Sequence, residues 1–244
     1  HVLLASAVSD ADDLTASTRP SSSVGQDAAW FLPTPDLRAI NGLETAFGQF
    51  LISTLKGKIF HLKGNDSFDY ELSSFYEGSA IAGAEAIVNI GNDVLMGLPG
   101  RIESLSGTLD FGDVETNDVS LWIANQLKNT GEWTLAYDQH RQRVLCFPND
   151  QGACWVLHKS VLNRTPQGYL TDINQQKIVS PWSKWTTDHV FGFQPTCVMP
   201  ILDPNDVNLR PTVFMGDSAG RIFRTEGVYD QDGGTTDLVV NRTS

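Results

Sequence analysis

Residues 215–227 read MGDSAGRIFRTEG, and they decide how the rest of the chain is interpreted. An apolar run, Thr212–Met215, precedes a turn that ends at Gly220, and Arg221–Arg224 forms a second half of similar length. Glycine reaches positive φ without steric cost, which tight hairpin turns need and β-branched residues resist. The stretch therefore predicts a β-hairpin with its turn closing at Gly220.

The same order of residues recurs upstream. Three copies have an apolar strand, a turn ending in glycine, a basic residue, an isoleucine and a final glycine. A fourth, weaker copy lacks part of this order. The predicted hairpins span residues 50–64, 93–107, 143–158 (the weaker copy) and 212–227. A single hairpin cannot bury its own faces, so repeated hairpins must stack on one another.

The spacing of the repeat predicts the fold class. The turn glycines are Gly57, Gly100, Gly152 and Gly220, so successive copies are 43, 52 and 68 residues apart. Periods of about 40–50 residues with short strands are typical of propeller blades. We therefore expect an all-β fold, a β-propeller-like repeat of short antiparallel hairpins that forms all or part of a propeller of a longer chain. A β-sandwich is the alternative.

The remaining segments suggest the domain organisation. Residues 1–29 are expected to be an exposed strand and a Ser/Thr-rich linker, and residues 30–244 a β-propeller domain. The long third interval predicts an inserted loop, at residues 163–177 or 203–210. Val119–Leu127 is expected to form a short helix, with a strand and a turn as the alternative.

Composition limits the function classes. The chain is 41% hydrophobic and 19% charged, which is a globular composition, and its net charge is −12. A surface this acidic repels phosphate backbones, so tight binding of nucleic acid is not expected, although an acidic wall past which DNA slides is compatible with it. No apolar run approaches the length of a membrane-spanning helix, and membrane insertion is not expected.

The three cysteines are predicted to be free thiols. Cys146 and Cys154 could pair across a hairpin, but their apolar neighbours favour buried thiols instead, and Cys197 has no obvious partner. Free thiols indicate, weakly, a reducing intracellular origin.

The sequence offers weak candidates for catalysis or metal binding. It has no Gly-x-Ser-x-Gly elbow and no His-Glu-x-x-His pair. Asp138 with His140 and Asp188 with His189 are adjacent acid–base pairs, and residues 229–234 resemble only the opening of a calcium loop. We therefore expect no enzyme activity, no catalytic residues, no metal and no cofactor. A glycoside hydrolase would need paired carboxylates, for which no credible pair is present.

Two surface elements are candidates for contacts. Four acids lie within nine residues: Asp110, Asp113, Glu115 and Asp118. They form either a solvated acidic loop or edge, or a charged element that faces a channel or a neighbouring subunit. Trp182 and Trp185 either pack between blades, which we favour, or present aromatic rings to a ligand.

The order of several motifs resembles a known family. The motifs are IFHLKG (59–64), FYEGSA (75–80), NDVLMGLPGRIESL (92–105), FGDVETNDVS (111–120), AYDQHRQRVL (136–145) and PWSKWT (181–186). In this order they resemble the nozzle, or tail tubular B, proteins of short-tailed bacteriophages and the related packaged-DNA stabilisation proteins. The resemblance extends from about Trp30 to Gly227.

The resemblance implies a structural virion component. Such a protein would be a ring subunit, about hexameric, below the tail adaptor; the ring forms the DNA exit channel and docks fibres or a needle. The implied location is the phage tail, assembled in the host cytoplasm, with DNA passing through without tight binding. The family has no catalytic residues to carry over, and its members are typically longer than this chain. The alternative is a propeller-type glycan- or receptor-binding module of a tail or surface protein.

Overall fold

The computed structural model describes residues 2–5, 30–64, 70–108, 113–159, 170–171, 178–187, 195–202, 211–225 and 240–243. The chain divides into two compact units, residues 1–81 and 82–244. In unit 1, β1 (Val2–Ala5) pairs with β2 (Trp30–Pro33). The predicted boundary at residue 29 falls in the stretch 6–29, outside the described residues, and stays a prediction.

Unit 1 also contains a four-stranded antiparallel sheet, blade 1, in which each strand pairs with the next one along the chain. Its strands are β3 (Ile40–Ala46), β4 (Gln49–Thr54), β5 (Lys58–Lys63) and β6 (Glu71–Glu77). The hairpin predicted at residues 50–64 is β4–β5, and the repeat therefore supplies the two central strands of this sheet.

In its described residues, unit 2 contains three larger antiparallel sheets and one two-stranded ribbon. Blade 2 consists of β7 (Ile87–Asn89), β8 (Val94–Leu98), β9 (Arg101–Thr108) and β10 (Asp113–Asp118). Blade 3 consists of β11 (Trp133–Asp138), β12 (Arg143–Pro148), β13 (Ala153–His158) and β16 (Trp182–Thr187), with β20 (Val240–Thr243) added at its edge. Blade 4 consists of β17 (Cys197–Leu202), β18 (Pro211–Gly216) and β19 (Ile222–Arg224).

The order of the strands is that of a propeller. In each blade of unit 2 the first strand in sequence is at one edge of the sheet, and the following strands pair outward from it. The first strand of blade 3, β11, packs beside β7 on one side and β17 on the other. The chain thus has an all-β, propeller-like fold made of short antiparallel hairpins, and the predicted fold class is confirmed.

The turn glycines behave as the repeat predicts. Their φ angles are +81° at Gly57, +75° at Gly100, +55° at Gly152 and +77° at Gly220. All four predicted hairpins form, as β4–β5, β8–β9, β12–β13 and β18–β19.

Blade 3 is buried on both faces, because alternate residues of a strand project to opposite sides of a sheet. One face packs on blade 2 residues such as Leu95 and Ile102, and it includes Trp133, Leu135, Val144, Cys146, Trp155, Leu157 and Trp182. The other packs on Val213 and Met215 of blade 4, and it includes Ala136, Leu145, Phe147, Cys154 and Val156. Stacking of sheets therefore provides the core of unit 2.

The connection from blade 2 to blade 3 is helical, as predicted. A 3-10 turn, Leu121–Ile123, leads into one α-helical turn, α1 (Ala124–Leu127), and the side chains of Ile123 and Leu127 are buried. Between β13 and β16, a two-stranded ribbon forms from β14 (Leu170–Thr171) and β15 (Ile178–Val179). The predicted loop at 163–177 lies mostly outside the described residues, and so does 203–210. Within the described part of the chain, no helix has the length and apolarity to cross a bilayer.

The three cysteines are free, with Cys146 and Cys154 buried and Cys197 exposed. Cys146 packs toward blade 2 and Cys154 toward blade 4, so the two thiols lie on opposite faces of one sheet and cannot form a disulfide across the hairpin. Burial raises the pKa of both of these thiols, which keeps them protonated.

We expect one thiol of the native protein to react with a thiolate-specific reagent such as DTNB. Cys197 should react at neutral pH, and Cys146 and Cys154 only after denaturation, because they are buried and protonated. Counting the protein thiols that react with and without denaturant checks this. A Cys197→Ser variant should then show no native reactivity, and rapid native labelling of two or more thiols would contradict the packing of blade 3.

Candidate functional site

The acidic segment lies along the edge strand of blade 2. Asp113 and Glu115 are in β10, opposite Thr108 and Ser106 of β9, and β10 is the last strand of this sheet. The segment at 113–118 is therefore the edge strand of blade 2, and Asp110 lies outside the described residues. Whether the acids are only solvated or face a channel or a neighbouring subunit stays a prediction. A charged edge strand resists pairing with other sheets.

Asp118 has a structural role of its own. Its Oδ1 accepts hydrogen bonds from the Ser120 backbone N–H at 2.8 Å and from the Ser120 hydroxyl at 2.7 Å. The Ser120 hydroxyl oxygen in turn accepts a bond from the buried N–H of Ile102 at 3.0 Å. The carboxylate of Asp118 is thus engaged in holding the turn between β10 and the helical connection.

Trp182 belongs to the core between blades 2 and 3. Its side chain is buried, and its indole N–H donates to the Val119 carbonyl at 2.9 Å. Trp182 lies opposite Leu157 in the register, whereas Trp185 lies opposite Cys154, on the other face of blade 3. Their spacing of three residues along one strand separates the two rings, so the structure does not bring them together as one aromatic surface.

Trp185 is part of a buried ionic arrangement that the sequence did not reveal. Asp138 and Arg143 are both buried, and Nε of Arg143 lies 2.9 Å from Oδ2 of Asp138. The Arg143 guanidinium carbon is 4.6 Å from the centre of the Trp185 ring, which is a cation–π contact. The one available signal was the Asp–x₄–Arg spacing across a turn that joins two strands.

Of the two candidate acid–base pairs, Asp138 with His140 lies among the described residues and Asp188 with His189 does not. Asp138 is committed to Arg143, and His140 is exposed. His158 contacts the Ser183 hydroxyl at 2.9 Å on the neighbouring strand. Residues 188–189 and 229–234 lie outside the described part of the chain.

Asp217 and Arg221 stabilise the turn of the β18–β19 hairpin. Oδ1 of Asp217 accepts backbone bonds from Ala219 and Arg221, both at 2.9 Å, and Oδ2 pairs with the Arg221 side chain at 2.6 Å. The bond from the Arg221 backbone is the main cause of a lowered pKa of Asp217. This pair is an exposed turn contact rather than a binding site.

A second polar cluster joins the ends of blades 2 and 3. The Lys159 ammonium, which is buried, donates to the Ile90 carbonyl and lies 5.4 Å from the centre of the Tyr137 ring. Asp93, nearby, accepts a 2.5 Å bond from the Ser104 hydroxyl. Burial lowers the pKa of Lys159 and raises that of Asp93. The attraction between the two charges acts against both shifts, but its effect is smaller than that of burial. The cluster links two blades through polar contacts.

Among the residues that the structure describes, no group of three or more His, Cys, Asp or Glu side chains is arranged to hold a metal ion.

Comparisons with known proteins give fold-level likenesses alone. No family model matches the sequence, and no curated protein matches it. Among solved structures, the computationally designed Ika4 protein aligns at a TM-score of 0.41 and 15% identity, over 79% of this chain and 94% of its own. The designed Ika8 protein aligns at 0.42 and 14%, over 82% and 49% of the two chains. BBS1N, solved in complex with ARL6DN, aligns at 0.44 and 10%, over 91% and 63%. With TM-scores below 0.5, none of these proteins indicates a function for this chain.

Proposed function

We propose that the chain is a structural subunit of a bacteriophage tail nozzle, in which propeller-like blades form part of a ring around the DNA exit channel. The observation that carries the proposal is the order of family-like motifs on one blade. Residues 92–105, which resemble the family, form the β8–β9 hairpin, and residues 113–118 of the next motif form β10 beside it. The resemblance therefore follows consecutive elements of one folded sheet.

The packing of blade 3 supports a role that needs mechanical stiffness. Both faces of its sheet are buried against neighbouring blades, and indole N–H bonds anchor it to carbonyls outside its own sheet, at Leu98 for Trp133 and Val119 for Trp182. Interiors packed in this way deform little under stress. A channel wall needs such stiffness, and a net charge of −12 would keep passing DNA from adhering to it.

The alternative, a glycan- or receptor-binding module, relied on the two tryptophans. Trp182 is 6% exposed, and Trp185 carries the Arg143 guanidinium over its ring. Sugar stacking requires an open ring face, so this pair does not favour the alternative.

The proposal predicts a closed ring. Native mass spectrometry and electron microscopy of the full-length protein should show a cyclic homo-oligomer of about six subunits. The same preparation should show no tight binding to a labelled DNA duplex at physiological salt. A protein that stays monomeric at micromolar concentration, alone and with purified tail adaptor, and that binds a glycan array would overturn the nozzle proposal in favour of the binding module.

A further inference from the structure

His61 is a buried imidazole with one unsatisfied nitrogen. It is 8% exposed in β5, and its Nδ1 lies 2.5 Å from the Oε1 of Gln49 in β4. With the amide oxygen as acceptor, Nδ1 carries the proton and Nε2 has a free lone pair. Nε2 is buried and has no hydrogen-bond partner among the residues that the structure describes. Buried polar atoms are rarely left unpaired, and an exception calls for a physical explanation.

One irregularity of the backbone places an aromatic ring beside this histidine, and a second lies at a residue whose ring contacts the first ring. The register between β5 and β6 shifts between Ile59 and Phe60, so that Phe75 is an extra residue on β6. Bulges of this kind redirect side chains, and the Phe75 ring lies 5.5 Å from the His61 ring. Phe47 adopts φ +56° in the turn before β4, and its ring lies 6.2 Å from that of Phe75.

The charges near His61 do not offer the imidazolium a bonded partner. Among the described residues, Lys63 on its own strand opposes protonation and Glu71 on β6 favours it, and both effects are smaller than that of burial. Glu71 also accepts a bond from Ser73 at 3.3 Å. Strand β4 presents no acidic or basic residue, since it reads QFLIST. The net result is a lowered pKa of His61.

We propose that His61 makes blade 1 acid-sensitive: a proton added at Nε2 places a buried charge beside the Phe75 ring, with no hydrogen-bond acceptor among the described residues, and weakens the sheet around β5. The neutral imidazole is compatible with the packed sheet, and the imidazolium is stable once it reaches water. Because the imidazole binds its proton more weakly in the folded state than in the unfolded chain, blade 1 keeps its full stability above pH 6.5, and part of that stability is lost as the pH falls from 6.5 toward the lowered pKa of the folded state. This inference does not depend on the proposed nozzle function.

The test is a pH series of hydrogen exchange on the full chain, corrected for the intrinsic exchange rate. Between pH 7.5 and 5, the protection of amides in β4, β5 and β6 should fall, by at most about tenfold per pH unit for a single proton. A His61→Gln variant, which does not titrate, should lose this pH dependence. The matched control is His140→Gln, which removes an exposed histidine of unit 2 and should behave as the unaltered chain.

A second measurement keeps the proposal testable if His61→Gln fails to fold. NMR titration of the imidazole in the unaltered chain should show His61 protonating below the pH of an unperturbed histidine. Protonation at or above pH 6.5 would overturn the proposal. So would equal pH dependence of protection in the unaltered chain and a folded His61→Gln variant.

Discussion

A Trp133→Ala substitution is expected to lower the free energy of unfolding of unit 2 by about 3–5 kcal/mol. Trp133 is 1% exposed in the core between blades 2 and 3, and its indole N–H donates to the Leu98 carbonyl at 2.8 Å. Alanine removes the packing and also leaves a buried carbonyl without its donor. The Trp133 side chain packs directly on Gly97, because a Cβ added at Gly97 would lie 2.7 Å from that side chain.

Hydrogen exchange and denaturation followed by far-ultraviolet circular dichroism measure this effect without relying on the removed fluorophore. Trp133→Phe should keep much of the packing and lose the indole bond, and therefore cost less. Trp122→Ala, at a tryptophan that is 41% exposed on the helical connection, is the matched control and should cost far less than Trp133→Ala. Equal losses for Trp122 and Trp133 would contradict the blade 2–blade 3 core.

The second large effect is expected at a turn glycine, Gly57. Gly57→Ala should destabilise unit 1 by about 3 kcal/mol, combining the cost of positive φ with that of overpacking. The φ of Gly57 is +81°, and an added Cβ would lie 2.0 Å from the Gly78 carbonyl oxygen and 2.8 Å from the Ala80 nitrogen. Both obstacles are backbone atoms, so no side chain can rotate away to relieve them.

Gly220→Ala is the matched comparison. Gly220 has nearly the same φ, +77°, but no atom of the described residues lies within 4 Å of the position of its Cβ. Its replacement should cost only the left-handed penalty of about 1–2 kcal/mol. Thermal unfolding and local exchange of the two variants check the difference, and a larger loss at Gly220 than at Gly57 would refute the role of the backbone approach.

The repeat was readable because its information is local. A turn that requires positive φ selects glycine, and alternation of apolar residues marks the strands on each side, so the four hairpins followed from pattern alone. The pairing of the outer strands was harder to predict from the sequence. For example, β13 pairs with β16 across residues 159–181, and β20 joins blade 3 after the strands of blade 4. Sequence spacing does not encode such long-range pairings.

The candidate site could be predicted only in part from the sequence, because several of its contacts depend on the folded structure. The four acids could be placed on a loop or an edge strand, but the bonds of Asp118 to Ser120 depend on the local turn. Asp138 and Arg143 are close in sequence, but their burial depends on the packed sheets. The contact of Lys159 with Ile90 depends on residues that are far apart, and the position of Phe75 beside His61 depends on a bulge. None of these contacts leaves a periodic signal in the sequence.

The amino-acid sequence by itself determined the all-β class, the four hairpins, their glycine turns and the free state of Cys146 and Cys154, because backbone sterics and the two-residue period of a strand act over a few neighbouring residues. Only the tertiary structure decided that Trp182 and Trp185 lie on opposite faces of blade 3, that Gly57 is crowded whereas Gly220 is open, and that the Nε2 of His61 is buried without a partner. These features arise where sheets and distant backbone segments meet, and the physical reason is that burial is a property of the packed sheets rather than of any one strand.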